Sequence, residues 1–153
     1  MAQISNPRKV FNFSIQIAPI PIDPFLAQKV TIPETSVDVV EHGDTNHDIK
    51  TGGRRKFGMI MMEKLMTTSG ADNYMWDWLS SVQDATIGGG LVPPFYKRIM
   101  TIFELAEDGS SILNTYICEG VWPNKINGID LSRQESDNTI ESIEFCVDVM
   151  DKI

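Results

Sequence analysis

The alternation near the end of the chain, "IESIEFCVDVM" from Ile140 to Met150, sets the strongest limit on the fold. Ile143, Phe145, Val147 and Val149 fall on one face, and Ser142, Glu144, Cys146 and Asp148 on the other. Strict period two belongs to a half-buried strand, expected here from residue 139 to 150. Residues 8–17 repeat the pattern, with Phe11, Phe13, Ile15 and Ile17 on one face and the uncharged Asn12, Ser14 and Gln16 on the other. A strand that is apolar on one face needs that face covered, and its edges need partners.

The rest of the chain extends this reading. Pro19, Pro21 and Pro24 exclude a helix or a central strand around them. Short strands are expected over residues 28–32 and 35–40, parted by Pro33. Residues 41–56, "EHGDTNHDIKTGGRRK", hold three glycines, mixed charge and little periodicity, and read as a long inter-strand loop. A loop of that length in a compact domain points to function. Residues 57–65 read as a strand with Phe57, Met59, Met61 and Leu65 on one face and Ile60 and Met62 on the other. Its second apolar face needs a helix or a partner chain over it.

Residues 70–85 give the one clear helix, with Met75, Leu79 and Val82 spaced along one side, Tyr74 and Trp78 beside them, and Ser69 or Asp72 as its cap. Residues 97–106 and 111–121 form a hairpin around Asp108-Gly109, and Trp122-Pro123 ends its second strand. The fold class expected is mainly β: a β-barrel or two packed antiparallel sheets, one flanking α-helix and the long inter-strand loop, as a single domain over residues 1–153.

Composition removes several functions. The net charge of -8 opposes tight wrapping of DNA, which needs Lys and Arg to release counterions. No apolar run approaches the roughly 20 residues of a membrane span. Polar residues after Arg8 and Lys9 interrupt any signal-peptide core, so synthesis in the cytoplasm is expected. Cys118 and Cys146 have no metal or disulfide-framework spacing and read as reduced thiols. His42 and His47 stand near Asp44 and Asp48, but at a spacing that matches no rigid ligand set, so no metal is expected. "GGRRK" lacks the spacing of a phosphate loop. With no positioned base, nucleophile or cofactor motif, the chain reads as a non-enzyme without cofactor.

The colinear series of the "WDWL" helix, the hairpin "IMTIFELAEDGSSILNTYICEGVWPNKINGIDL" and the closing "ESIEFCVD" resembles the tail tube proteins of contractile-tailed bacteriophages and related contractile injection systems. The resemblance covers nearly the whole length, departing at "IGGGLVPP" and in the 41–56 loop. It implies a β-barrel-like fold of two sheets with a flanking helix. It also implies rings of six copies stacked into a hollow tube in a virion assembled in the host cytoplasm. The implied partners are the tail sheath protein, the tape measure protein, the baseplate hub and the tail terminator, with DNA crossing the lumen without specific binding. The inner tube of a type VI secretion or extracellular injection system is the near alternative. A small ligand-binding β-barrel is the alternative of another class.

Under the tube reading, the 41–56 loop is expected to reach a neighbouring copy. Asp44, His47, Lys50, Arg54, Arg55 and Lys56 are then ring or stacking contacts, with Glu135 and Asp137 as the acidic partners of the Arg54-Arg55-Lys56 cluster. A lumen that passes DNA should be net negative, and Asp38 and Glu63 are its candidate lining residues.

Overall fold

The structure, a computed structural model, describes residues 12–18, 27–66, 73–134 and 139–153. It is mainly β and antiparallel throughout. The strands are β1 (Phe13–Ala18), β2 (Ala27–Thr31), β3 (Thr35–Gly43), β4 (Asp48–Phe57), β5 (Ile60–Leu65), β6 (Arg98–Leu105), β7 (Ile112–Ile126), β8 (Ile140–Cys146) and β9 (Val149–Lys152). Helix α1 (Tyr74–Val82) and the single-turn α2 (Pro93–Tyr96) lie between β5 and β6.

The main sheet runs β1-β6-β7-β8-β5-β2, with β9 beside β7; β3 and β4 pair only with each other. The 15-residue β7 holds the fold together. Its first part pairs with β6 and β9, from Leu105↔Ile112 to Arg98↔Val121, and its last part pairs with β8, from Trp122↔Cys146 to Ile126↔Ile143. Two packed sheets therefore share one strand. Trp122-Pro123 does not end that strand: Pro123 stays in register with Phe145, and its missing N–H falls beside a register shift before Lys125.

The closing strand is likewise two strands with one break. Ile143 and Phe145 are buried as the alternation requires, but beyond Asp148 the phase flips, so that Met150 is buried and Val149 is 42% exposed. On β7 the same flip separates Cys118 from Val121, both wholly buried. Gly120, at φ +68°, sits at that step, and a Cβ there would strike the Asp148 side chain. Paired irregularities of this kind bend neighbouring strands together, here where the chain passes from one sheet to the other.

The core collects Ile15 and Ile17 of β1, Ile60 and Met62 of β5, Met100 and Ile102 of β6, Val121 of β7, and Ile143 and Phe145 of β8. Met75 and Trp78 bring α1 onto it, and Trp78 lies 5.6 Å from Phe145, centroid to centroid. The Trp78 indole N–H donates to the Tyr96 carbonyl at 2.7 Å, and the Arg98 guanidinium lies 5.0 Å over its ring. Leu79 and Val82 are only half-buried, and Trp76 is 50% exposed at the rim. The two expected caps, Ser69 and Asp72, lie outside the described residues; Asn73 occupies the N-cap with no side-chain bond. Lys64 and Glu141 face each other across β5 and β8, 2% and 0% exposed, a buried cation and carboxylate placed in register inside the sheet.

Candidate assembly surfaces

Residues 41–56 are not a loop. They form most of a long antiparallel hairpin, with β3 and β4 paired from Thr35↔Phe57 to Gly43↔Asp48. Only residues 44–47 form the turn, closed by Asp44 N–H to the His47 carbonyl at 2.9 Å and capped by Thr45 N–H to Asp44 Oδ1 at 2.7 Å. The strand expected over residues 57–65 divides accordingly. Phe57 ends β4, β5 starts at Ile60, and Gly58 N–H donates to the Glu34 carbonyl at 2.7 Å in the joint.

This hairpin stands out from the body, and the contacts it makes are chiefly between its own two strands. Every residue from 39 to 56 is exposed, on both faces. Val37 and Val39 are 52% and 62% exposed, and Val40 and Ile49 also face solvent. Val39 lies opposite Gly52, and the space a Cβ of Gly53 would fill lies 3.1 Å from Val40 Cγ2. Gly52 thus leaves Val39 without a cross-strand side chain, while a side chain at Gly53 would crowd Val40 and the Asp38 backbone. A two-stranded hairpin in water is marginal by itself and gains its order from what it packs on.

The predicted contact residues map onto this arm. Asp44 and His47 form the turn, Lys50 pairs in register with Glu41, and Arg54 lies at a bulge between Val37 and Val39. Arg55 Nε donates to Thr35 Oγ1 at 3.1 Å, and its guanidinium lies 5.2 Å over Phe57. Lys56 Nζ stands 3.0 Å from Asp38 Oδ2. A residue expected as a contact and one expected in the lumen are thus an ion pair on one arm. Glu135 and Asp137 lie outside the described residues.

Glu63 lies elsewhere, half-buried on the outer face of β5, in register with Ser142 and Lys29. Its neighbours Met59 and Met61 are 39% and 46% exposed, so the second apolar face of β5 is not covered by α1, which packs on β7.

Other features of the described residues offer little chemistry. No group of three His, Cys, Asp or Glu there could hold a metal ion. The Cys118 thiol is pushed up to about 11 by burial, and Cys146 is raised by burial and by the Asp148 and Glu144 carboxylates. A cavity of about 680 Å³ opens between β2 and the β1-β6-β7 sheet, lined by Phe13, Val30, Ile102, Glu104 and Tyr116. Its polar wall is occupied internally, since Glu104 accepts from Asn114 Nδ2 and the Tyr116 hydroxyl, each at 3.1 Å. The exposed hairpin and the Lys64–Glu141 pair were the features sequence reading missed. The only signal for the pair was phase, since Lys64 continues the inward series of Ile60 and Met62.

A family model described as "T4-like virus tail tube protein gp19" matches residues 9–151. No curated protein matches the chain. Among solved structures, the chain is similar to one titled as the anti-feeding prophage cap, the AFP tube terminating cap. The TM-score is 0.82 at 16% identity, over 100% of this chain and 95% of that one. It is similar to the sheath/tube terminator of an extracellular contractile injection system, PVC, with TM-score 0.81, 18% identity, and 99% of both chains. The PVC sheath-tube complex follows, with TM-score 0.79, 18% identity, 98% of this chain and 93% of that one. At these identities the likeness is one of fold.

Proposed function

The chain belongs to the T4-like virus tail tube protein gp19 family, and from that premise we propose how this structural tube subunit assembles. Six copies close into a ring, and rings stack into a hollow tube, the whole chain acting as one tube domain. Contacts within such a ring are head-to-tail, and head-to-tail contacts leave a surface free for the next ring. The assembly is a virion or phage-tail-like particle, its subunits made and assembled in the host cytoplasm. A sheath surrounds the tube, and a terminator and a baseplate hub close its ends, in keeping with the sheath, cap and terminator structures that share the fold. A tape measure protein fills the tube during assembly, and DNA passes through it later. The extracellular injection systems among these neighbours favour the same role in a particle that delivers another cargo.

The observation that carries this reading is the β3–β4 hairpin. It exposes valines on both faces and packs on little of its own body. Seated on a neighbouring copy, it brings Asp44, His47, Lys50, Arg54 and Arg55 to the contact. The exposed methionines of β5 offer a second adaptable apolar surface. No step of this function is chemical, and the chain acts without enzyme activity or cofactor. The lumen is net negative, with Glu63 among its lining groups, because phosphates adhere where Lys and Arg neutralise them.

Negative-stain microscopy of the concentrated protein, with and without a preformed tube end as a seed, tests the proposal. Rings or seeded tubes of uniform width are expected. Dispersed monomers under both conditions would argue against it.

A further inference from the structure

Two dipeptides of this chain carry the same latent chemistry, Asp108-Gly109 and Asn127-Gly128. In each, a side-chain carbonyl carbon can be attacked by the next backbone nitrogen, and glycine places no side chain in the way. The structure treats the two differently. Asp108 Oδ1 accepts from the backbone N–H groups of Ser110 and Ser111 at 3.0 and 2.9 Å, and Oδ2 from the Ser111 hydroxyl at 2.7 Å. These bonds hold the carboxyl as an anion, a poor electrophile, with a pKa lowered to about 2. The nucleophile is held too, since Gly109 N–H donates to the Ala106 carbonyl at 3.0 Å.

At Asn127-Gly128 neither the carboxamide nor the attacking nitrogen is held in this way by the described residues. Asn127 follows the end of β7, and its own N–H donates to the Ser142 carbonyl at 2.9 Å. Among the described residues, no hydrogen bond engages its carboxamide or the Gly128 N–H. Around Gly128, nothing lies within 4 Å of where a Cβ would stand. No other asparagine in the chain precedes a glycine.

From this contrast we propose that Asn127 is a site of spontaneous deamidation, while Asp108-Gly109 stays intact. The Gly128 nitrogen gives its proton to solvent base and bonds to Asn127 Cγ. The Cγ–NH₂ bond breaks, and the nitrogen takes a proton and leaves as ammonia. Water then opens the resulting five-membered imide at either carbonyl, giving aspartate or isoaspartate. One water is consumed, one ammonia is released, and nothing is oxidised or reduced. The chain gains one negative charge. By register that carboxylate joins the row of Ser142, Glu63 and Lys29 across β8, β5 and β2. If that row lines the bore, a consequence resting on the lumen reading above, the tube becomes more negative as it ages.

The test is incubation of the purified full chain in neutral and mildly alkaline buffers, followed by intact mass and peptide mapping. A mass gain of about one dalton is expected, confined to the peptide containing Asn127. It should be split between aspartate and isoaspartate, be faster at the higher pH, and be absent in Asn127→Gln. Gly128→Ala, which has room for its methyl group, should slow it. An unchanged Asn127 while another asparagine converts would overturn the proposal, as would isoaspartate at Asp108 appearing equally fast. Neither readout depends on tube formation.

Discussion

At the residue scale, two clusters tie side-chain charge to the stability of the fold. Asp108 closes the β6–β7 turn through its three hydrogen bonds, which lower its pKa from 3.8 to about 2. A carboxyl depressed by folding adds stability above its unfolded pKa and loses it as pH falls through the folded value. Asp108→Asn should therefore lower the melting temperature at neutral pH, and the gap to wild type should close between about pH 4 and about pH 2. A gap that persists below that range would place the effect elsewhere. Lys64 and Glu141 make the second cluster. Removing one charge from a buried pair strands the other, at about 3–5 kcal/mol. Denaturant titration should show a loss of that order for Lys64→Met and a smaller one for Lys64→Met with Glu141→Leu. Equal losses in the single and double variants would mean that the two charges are not coupled. Of these residues Asp108 was legible as a turn signal. Lys64 was not, because a lone lysine beside methionines looks like a surface residue until strand phase assigns it inward.

At the element scale, strands with one buried face were readable and the hairpin exposed on both faces was not. Ile15, Ile17, Ile143 and Phe145 are buried where period two requires. The phase change between Cys146 and Val149 was invisible, since Val147 and Val149 continue the apolar series although a break between them turns Val149 outward. Residues 41–56 read as a loop because a ribbon exposed on both faces has no apolar alternation, and Gly52-Gly53 resembles punctuation. Their pairing is nonetheless continuous apart from one bulge. Replacing the segment between Val40 and Thr51, which are register partners, with an Asn-Gly turn shortens this arm without touching the core. The melting temperature of the monomer should stay within a few degrees of wild type, while seeded tube growth stops. Normal growth would remove the arm from the assembly contacts. A collapsed melting temperature would mean that the arm supports the monomer fold instead.

At the scale of the whole molecule, a body of two sheets sharing β7 leaves three surfaces uncovered among the described residues: the hairpin, the methionine face of β5, and the edges of β1 and β2. Edges and apolar faces left open in a monomer invite pairing with another copy, and closure into a ring removes them. The order of helix, hairpin and closing strand was legible in the sequence and led to the right family. Which face looks into the bore is a property of the assembly, so no residue pattern in one chain could state it. The direct measurement is a cryo-EM reconstruction of the assembled tube. The expected result is rings of six copies in which Val37, Val39 and Val40 of each hairpin are buried against another copy and the bore carries more Asp and Glu than Lys and Arg. Hairpins left in solvent, or a bore with a cationic excess, would contradict it.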